Sequence, residues 1–281
     1  MTVRSQRHCL SVSGGDTLHV VELWPDDVEA PRSMVFSHGA GGSHVSWYAQ
    51  AAHFSASHRV VLWDHRGFGR STNRRGSASP LVAALDLEEV LDQVAGGSAH
   101  VVAQSMGGWA ALTAAARHPE QFLSLTLSDS CAGLLSDDSI RGLRQFMAHS
   151  HADPEPFLGS PAVSERFAET EPSTAALYHL LVRAFETTYP EAVPDLIRFP
   201  FSGDLTLLAA TPVLAIVGDE DKIFAPAILK RDLACIPGIQ FEVIAGCGHS
   251  PYIEAPIQYN RVLDGFVSTP RRPMNAEKIG A

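Results

Sequence analysis

The stretch SAHVVAQSMGGWAALTAAARHPE, residues 98–120, constrains the fold more than any other part of the chain. A β-branched apolar run, HVVA, has the composition of a short buried strand. Within a few residues an Ala- and Leu-rich run begins, with the composition of a helix, and ends at His118-Pro119. The backbone from Gln104 to Gly107 must therefore turn sharply, and such a turn needs small neighbours for clearance. It leaves Ser105 Oγ pointing out of the top of a sheet, beside the amino end of a helix. The form G-x-S-x-G presents a serine nucleophile in this way. Here the pattern is A-Q-S-M-G, with Ala103 at the first position. A serine that caps a helix is the competing reading of these five residues.

The same alternation extends along the chain. HCLSVSGGDTLHVVELW predicts an N-terminal hairpin around Gly14-Gly15-Asp16. SMVFSH, HRVVLWD, LSLTLSD, TPVLAIVGDED and IQFEVIAGCGHS read as further strands. SWYAQAAHFSA, PLVAALDLEEVLDQV, PAILKRDLACI and YIEAPIQYNRVLDGFV read as helices. Strands alternating with helices imply an α/β protein with a mostly parallel sheet covered on both faces. The rhythm breaks at about Ser130. From there to about Thr206 the pattern is helix and loop, with prolines at 154, 156, 161, 172, 190, 194 and 200. This predicts a helical insertion at 131–206 between two sheet strands. The core is then 1–130 with 207–268, and 269–281 is a polar, frayed tail.

Acidic residues outnumber basic ones, 31 to 21, for a formal charge of −10, which argues against nucleic acid and an anionic membrane surface as partners. Cys9, Cys131, Cys235 and Cys247 are scattered without a C-x-x-C pair, as expected of reduced thiols in a cytoplasmic protein. No apolar leader and no run of membrane-span length is present in the sequence.

A serine is a poor nucleophile until a base takes its proton, and the base needs a carboxylate to orient it. In the order expected, Ser, acid, His, two strand-end loops qualify. LAIVGDEDKIFAP offers Asp219, Glu220 and Asp221, of which the two aspartates could equally be turn residues. FEVIAGCGHSPYIEAP offers His249, flanked by Gly246, Gly248 and Ser250. Attack on a carbonyl builds charge on its oxygen, which backbone N–H groups can hold. Met106, after the serine, is one expected donor. VFSHGAGGSHVSW supplies the other, at Ala40 first and Gly41 second. A phosphate-binding loop is excluded because the G-x-G-x-x-G spacing is absent and no Lys-Ser/Thr follows.

Taken in order, HGAGGS, WDHRGFGRS, QSMGGWAAL, VGDEDKIF and GCGHSPYIEAP resemble the α/β-hydrolase superfamily over nearly the whole chain. The resemblance implies the α/β-hydrolase fold, with the 131–206 insertion as a helical cap. It maps the acid to Asp221, with Asp219 as fallback, and the histidine to His249. It makes Asp64 and Arg66 of DHRGFGRS structural. Gln104 stands where a histidine is more frequent.

The expected chemistry is hydrolysis of a small carboxylic ester or lactone through an acyl-enzyme, with Ser105, His249 and Asp221 as triad and no cofactor or metal. His149 and His151 in AHSHAD are too little for a zinc site. Gly41, Gln104, Trp109, Phe146, Phe157 and Tyr178 are the residues expected to touch a largely apolar small-molecule substrate. Cleavage of a carbon–carbon bond in a vinylogous diketone, a lyase or cyclase reaction, and ligand sensing on the same fold stay open, as does homo-oligomerisation.

Overall fold

A computed structural model describes residues 2–152, 162–182, 184–185 and 187–268. Among these, eight strands form one sheet: β1 (Val3–Val12), β2 (Asp16–Pro25), β3 (Ser33–Ser37), β4 (Arg59–Trp63), β5 (Ala99–Gln104), β6 (Phe122–Ser128), β7 (Val213–Gly218) and β8 (Gln240–Ile244). Their order is β1-β2-β4-β3-β5-β6-β7-β8. β1 and β2 form the expected hairpin, paired from Val3↔Pro25 to Val12↔Asp16. Gly14 and Gly15 take φ of 79° and 76° at its turn, a region that costs glycine nothing. β2 pairs antiparallel with β4, and from β4 to β8 every pairing is parallel.

The helices are α1 (Tyr48–Phe54), α2 (Pro80–Gln93), α3 (Gly107–Arg117), α4 (Asp137–Ala152), α5 (Glu165–Thr170), α6 (Pro172–Val182), α7 (Ala192–Arg198), α8 (Pro226–Asp232), α9 (Pro251–Glu254) and α10 (Pro256–Val267). Central strands such as β5 are buried along their whole length, which is why they read as unbroken apolar runs rather than alternating ones. One core, with Leu87, Leu91, Trp109 and Leu112, lies on one face of the sheet. A second, with Phe36, Trp47, Phe54 and Tyr259, lies on the other.

The single closing helix expected from 252 to 267 is two. Ala255 leaves the helical region at φ −136°, ψ 60°, because Pro256 disfavours helical backbone in the residue before it. The segment between β6 and β7 carries α4 to α7 and is pinned to the sheet at several points. Trp109 Nε1 donates to Leu196 O at 3.1 Å, and Ser164 N donates to Glu254 Oε2 at 2.9 Å. Thr187 Oγ1 and Thr188 N both donate to Gly67 O, at 2.9 and 2.8 Å. The tail at 269–281 lies outside the described residues.

This topology gathers chemistry at one edge. β3, β5, β6 and β7 run parallel, and His38, Ser105, Asp129 and Asp219 are the first residues beyond their respective carboxyl ends. His249 follows β8 in the same way, within a longer loop. Ligands bind at this edge in open parallel sheets.

Candidate active site

Ser105 has φ +47°, in the left-handed region that a side chain enters at a cost on the order of 1–3 kcal/mol. The surrounding bonds over-determine that conformation. Ser105 N donates to Ser128 O at 2.9 Å, while Ser105 O accepts from Gly108 N at 2.9 Å and Ser130 Oγ at 2.6 Å. The small neighbours have specific reasons. A Cβ at Gly107 would stand 2.6 Å from Ser37 O, and one at Gly108 would collide with Ser130 Oγ. Ala103 needs no such clearance, because it lies within β5 in register with Ser37 and Leu127, and its methyl is fully buried there. The helix-cap alternative does not describe this serine: α3 starts without a side-chain cap bond.

The two candidate acids separate by geometry. Asp221 Oδ2 lies 2.9 Å from His249 Nδ1, and both side chains are buried. Asp221 Oδ1 accepts from Ile223 N at 2.8 Å and Phe224 N at 3.0 Å, which turns the carboxylate back toward the sheet edge. Asp219 is exposed, and its Oδ1 accepts from Gly246 N at 2.6 Å and Cys247 N at 3.3 Å. It holds the turn that leads to His249. Glu254 fixes the same loop by accepting from Gly248 N at 2.9 Å and Ser250 N at 3.2 Å. Gln104 Nε2 donates to His249 O at 3.1 Å, tying the elbow to the histidine loop.

Ser105 and His249 line one pocket, about 490 Å³ of empty space including the part open to solvent. Gln104, Phe146 and Tyr178, three of the residues expected to touch substrate, line it, and so does Ala40, the first choice for the second oxyanion donor. Two other residues expected at the substrate lie elsewhere. Trp109 lies outside the lining: its indole is held beneath by the bond to Leu196 O and packs beside Phe224. Gly41 is exposed and also outside, its nearest neighbour in Cβ position being Val182. Phe157 lies outside the described residues, as do the side chains of His149 and His151. The Met106 side chain lines a separate small hollow beside His65, Arg66 and Tyr189. Its backbone immediately follows Ser105 and opens α3. Most of the remaining cavity wall is apolar, including Leu143, Val182, Leu196 and Ile223, and Tyr252 joins Tyr178 as a second phenol. Burial pushes the Tyr178 phenol up to about 12.

The glycine loop after β3 is held from below. His38 Nε2 accepts from His65 N at 3.0 Å, so its proton sits on Nδ1, which donates to Gly39 O at 2.8 Å. Burial lowers His38 to about 4 and keeps that tautomer neutral. Asp64 accepts from His44 N, His44 Nδ1 and Arg70 N. Arg66 reaches Asp16 and Asp86 at 3.1 and 2.7 Å. These contacts knit the loops after β3 and β4 to each other and, through Asp16 and Asp86, to β2 and α2.

Sequence reasoning missed Asp129. It is fully buried at φ +46°, and a carboxylate oxygen of Asp129, one of Asp221 and a ring nitrogen of His249 lie within 4.8 Å of one another. Burial first, and then the charge of Asp221, push its carboxyl well above the usual range. Its place one residue beyond a strand end was the available signal. Among the described residues, His19, His44 and Asp64 form the other cluster at metal-ligand spacing, with the Asp64 oxygens engaged by protein donors. Among the described residues no helix is long and apolar enough to cross a membrane.

A profile of the alpha/beta hydrolase family matches residues 34–262, and the chain belongs to that family. A Caulobacter sp. (strain K31) protein provisionally named carbamate hydrolase RutD is 26% identical over 253 residues, covering 84% of this chain and 91% of that protein. The 3-oxoadipate enol-lactonase 1 of Acinetobacter baylyi is 25% identical over 274 residues, covering 94% and 99%. The structure of a thermophilic esterase from Thermogutta terrifontis, solved with malate bound, superposes with a TM-score of 0.74 at 23% identity, over 94% of this chain and 100% of that one.

Proposed function

We propose that the protein is a serine hydrolase that cleaves a small, largely apolar carboxylic ester or lactone through an acyl-enzyme. The observation that carries this reading is the strained Ser105 sharing one cavity with a histidine whose Nδ1 is bonded to a buried carboxylate. Ser105 Oγ attacks the carbonyl carbon while His249 Nε2 takes its proton. Asp221 holds the proton on Nδ1 and stabilises the imidazolium. The amides of Ala40 and Met106 hold the oxyanion. Imidazolium then protonates the leaving oxygen, and water, deprotonated by the same nitrogen, releases the acid. Residues 131–206 act as the cap over a core of 1–130 and 207–268, and the apolar wall selects an acyl group without charge. The relatives named as lactonase and carbamate hydrolase support acyl transfer to water as the reaction class.

The test compares the native protein with Ser105→Ala on short-chain p-nitrophenyl esters, lactones and a vinylogous diketone, together with labelling by a fluorophosphonate. Labelling and ester or lactone turnover that both vanish in the variant are expected. A native protein that takes no label and turns over none of the panel overturns the reading. Turnover of the diketone alone moves the assignment to carbon–carbon cleavage.

A further inference from the structure

A second cluster stands outside the pocket that Ser105 and His249 share. His19 lies in β2, His44 follows the glycine loop after β3, and Asp64 is the first residue beyond β4. One ring nitrogen from each histidine and one oxygen of Asp64 lie within 4.8 Å of one another, and none of the three residues lines that pocket. Backbone contacts fix their positions: Asp64 N donates to His19 O at 3.0 Å, and His19 N donates to Ser71 Oγ at 2.9 Å. Two of the side chains lack what burial normally demands. His19 is 8% exposed, yet its ring makes no hydrogen bond to a protein group among the described residues; it meets the His44 ring edge-on at 4.9 Å between centroids. Buried polar groups are nearly always partnered. The Asp64 side chain is fully buried, and among the described residues its one ion-pair partner is His44, which carries charge only when protonated. A buried carboxylate calls for a counter-charge. His44 Nδ1 sits between its two oxygens, at 2.9 and 3.0 Å.

We propose that His19, His44 and Asp64 bind one Zn²⁺-class divalent ion, with water as the fourth ligand. Two imidazoles and a carboxylate are a donor set that suits zinc. The ion takes the place of the Nδ1 proton of His44, which moves to Nε2, and His19 supplies the lone pair of its unpartnered ring. Asp64 has room for it. His44 N on Oδ1, at 2.6 Å, and Arg70 N on Oδ2, at 2.9 Å, use two of the roughly four acceptor positions of a carboxylate, so only the Nδ1 contact is displaced. Ligand atoms around a four-coordinate zinc stand about 3.3 Å apart, so His44 and Asp64 separate slightly and His19 closes by about 1.5 Å at most. The His44 side chain, 12% exposed, gives the ion its way in. Bound there, the ion ties β2, the end of the glycine loop and the turn after β4 into one unit.

The experiment titrates Zn²⁺ into the full chain, stripped of metal with a chelator, and follows binding by calorimetry and the melting midpoint. It needs no substrate, so its outcome is separate from that of the hydrolase reading. The native protein should bind one equivalent saturably, and its midpoint should rise by about 5–10 °C at a hundredfold excess over Kd. His19→Phe keeps a ring in place and breaks no side-chain hydrogen bond, so its metal-free midpoint should match the native one. Its affinity should fall by more than the roughly 10- to 100-fold that losing an outer partner of a metal ligand costs. His19→Gln is the second variant should the phenyl ring not be accommodated. His249→Ala is the control for the other cluster at metal-ligand spacing, Asp129, Asp221 and His249, and should bind as the native protein does. A native protein without saturable binding overturns the assignment. So does binding that survives in both His19 variants, which puts the ion on other residues, or binding lost in His249→Ala, which puts it in the catalytic pocket.

Discussion

Arg66→Met should cost more stability than any other single change in the loop after β4. The guanidinium is 2% exposed and meets two carboxylates. Asp86 takes Nε at 3.0 Å and Nη2 at 2.7 Å, and Asp16 takes Nη1 at 3.1 Å. The two acids are not equally dependent on it. Asp16 also accepts from Arg74 N and Thr72 Oγ1, both at 2.8 Å. Asp86 has no hydrogen-bond donor other than Arg66 among the described residues. The substitution therefore leaves one buried carboxylate without a partner and a second with its charge unbalanced. Breaking a buried pair from one side costs about 3–5 kcal/mol, mostly the penalty of the charge left behind. At roughly 2–4 °C per kcal/mol for a domain of this size, the midpoint falls by about 10 °C.

The pH dependence follows from the sign of one shift. Burial raises Asp86 above 3.8, and Arg66 opposes that. Without Arg66 the folded-state pKa rises further. A group raised on folding destabilises progressively as pH climbs from its unfolded value through its folded one. The deficit of Arg66→Met should thus be smaller at acidic than at neutral pH. Urea unfolding at both pH values, with unchanged slope, measures it. Asp86→Leu in the same chain removes the orphan charge and should recover about half the loss or more. A single-variant loss below about 1 kcal/mol, the range of exposed pairs, or no recovery in the double, refutes the reasoning.

Other expectations follow from the same contacts. Gly108→Ala drives a methyl into Ser130 Oγ, which holds Ser105 O, so kcat/KM should fall about 100-fold with folding largely retained by circular dichroism; unchanged turnover would mean the elbow is not under that constraint. Asp219→Asn keeps an acceptor for Gly246 N and should stay within about threefold of native activity, whereas a loss approaching 10⁴-fold would transfer the acid role to Asp219. Burial raises the thiols of Cys131 and Cys247, the latter to about 12, while Cys9 and Cys235 are exposed. Ellman's reagent should therefore titrate two thiols quickly and four after denaturation, and a fast count above two refutes it.

What the sequence made legible is what local physics controls. The strand-to-helix turn at Ser105 needed small residues because backbone passes within contact distance of Gly107, and that requirement is written in the five residues themselves. The hairpin at Gly14-Gly15 and the helix ending before Pro119 are local in the same sense. Choosing between Asp219 and Asp221 is not local. Both follow β7, and only the position of the histidine loop, set by β8, Glu254 and Gln104, decides which one the imidazole meets. Trp109 illustrates the same limit. It lies four residues beyond Ser105, close enough in helical phase to suggest the cavity, but its indole is taken by a carbonyl of α7, 87 residues away. Asp129 was missed for a different reason. Sequence reasoning that seeks a serine, an acid and a histidine stops when it has one of each. A parallel sheet imposes no such economy: every strand that ends at this edge delivers whatever residue comes next, and β6 delivers a second carboxyl beside the first.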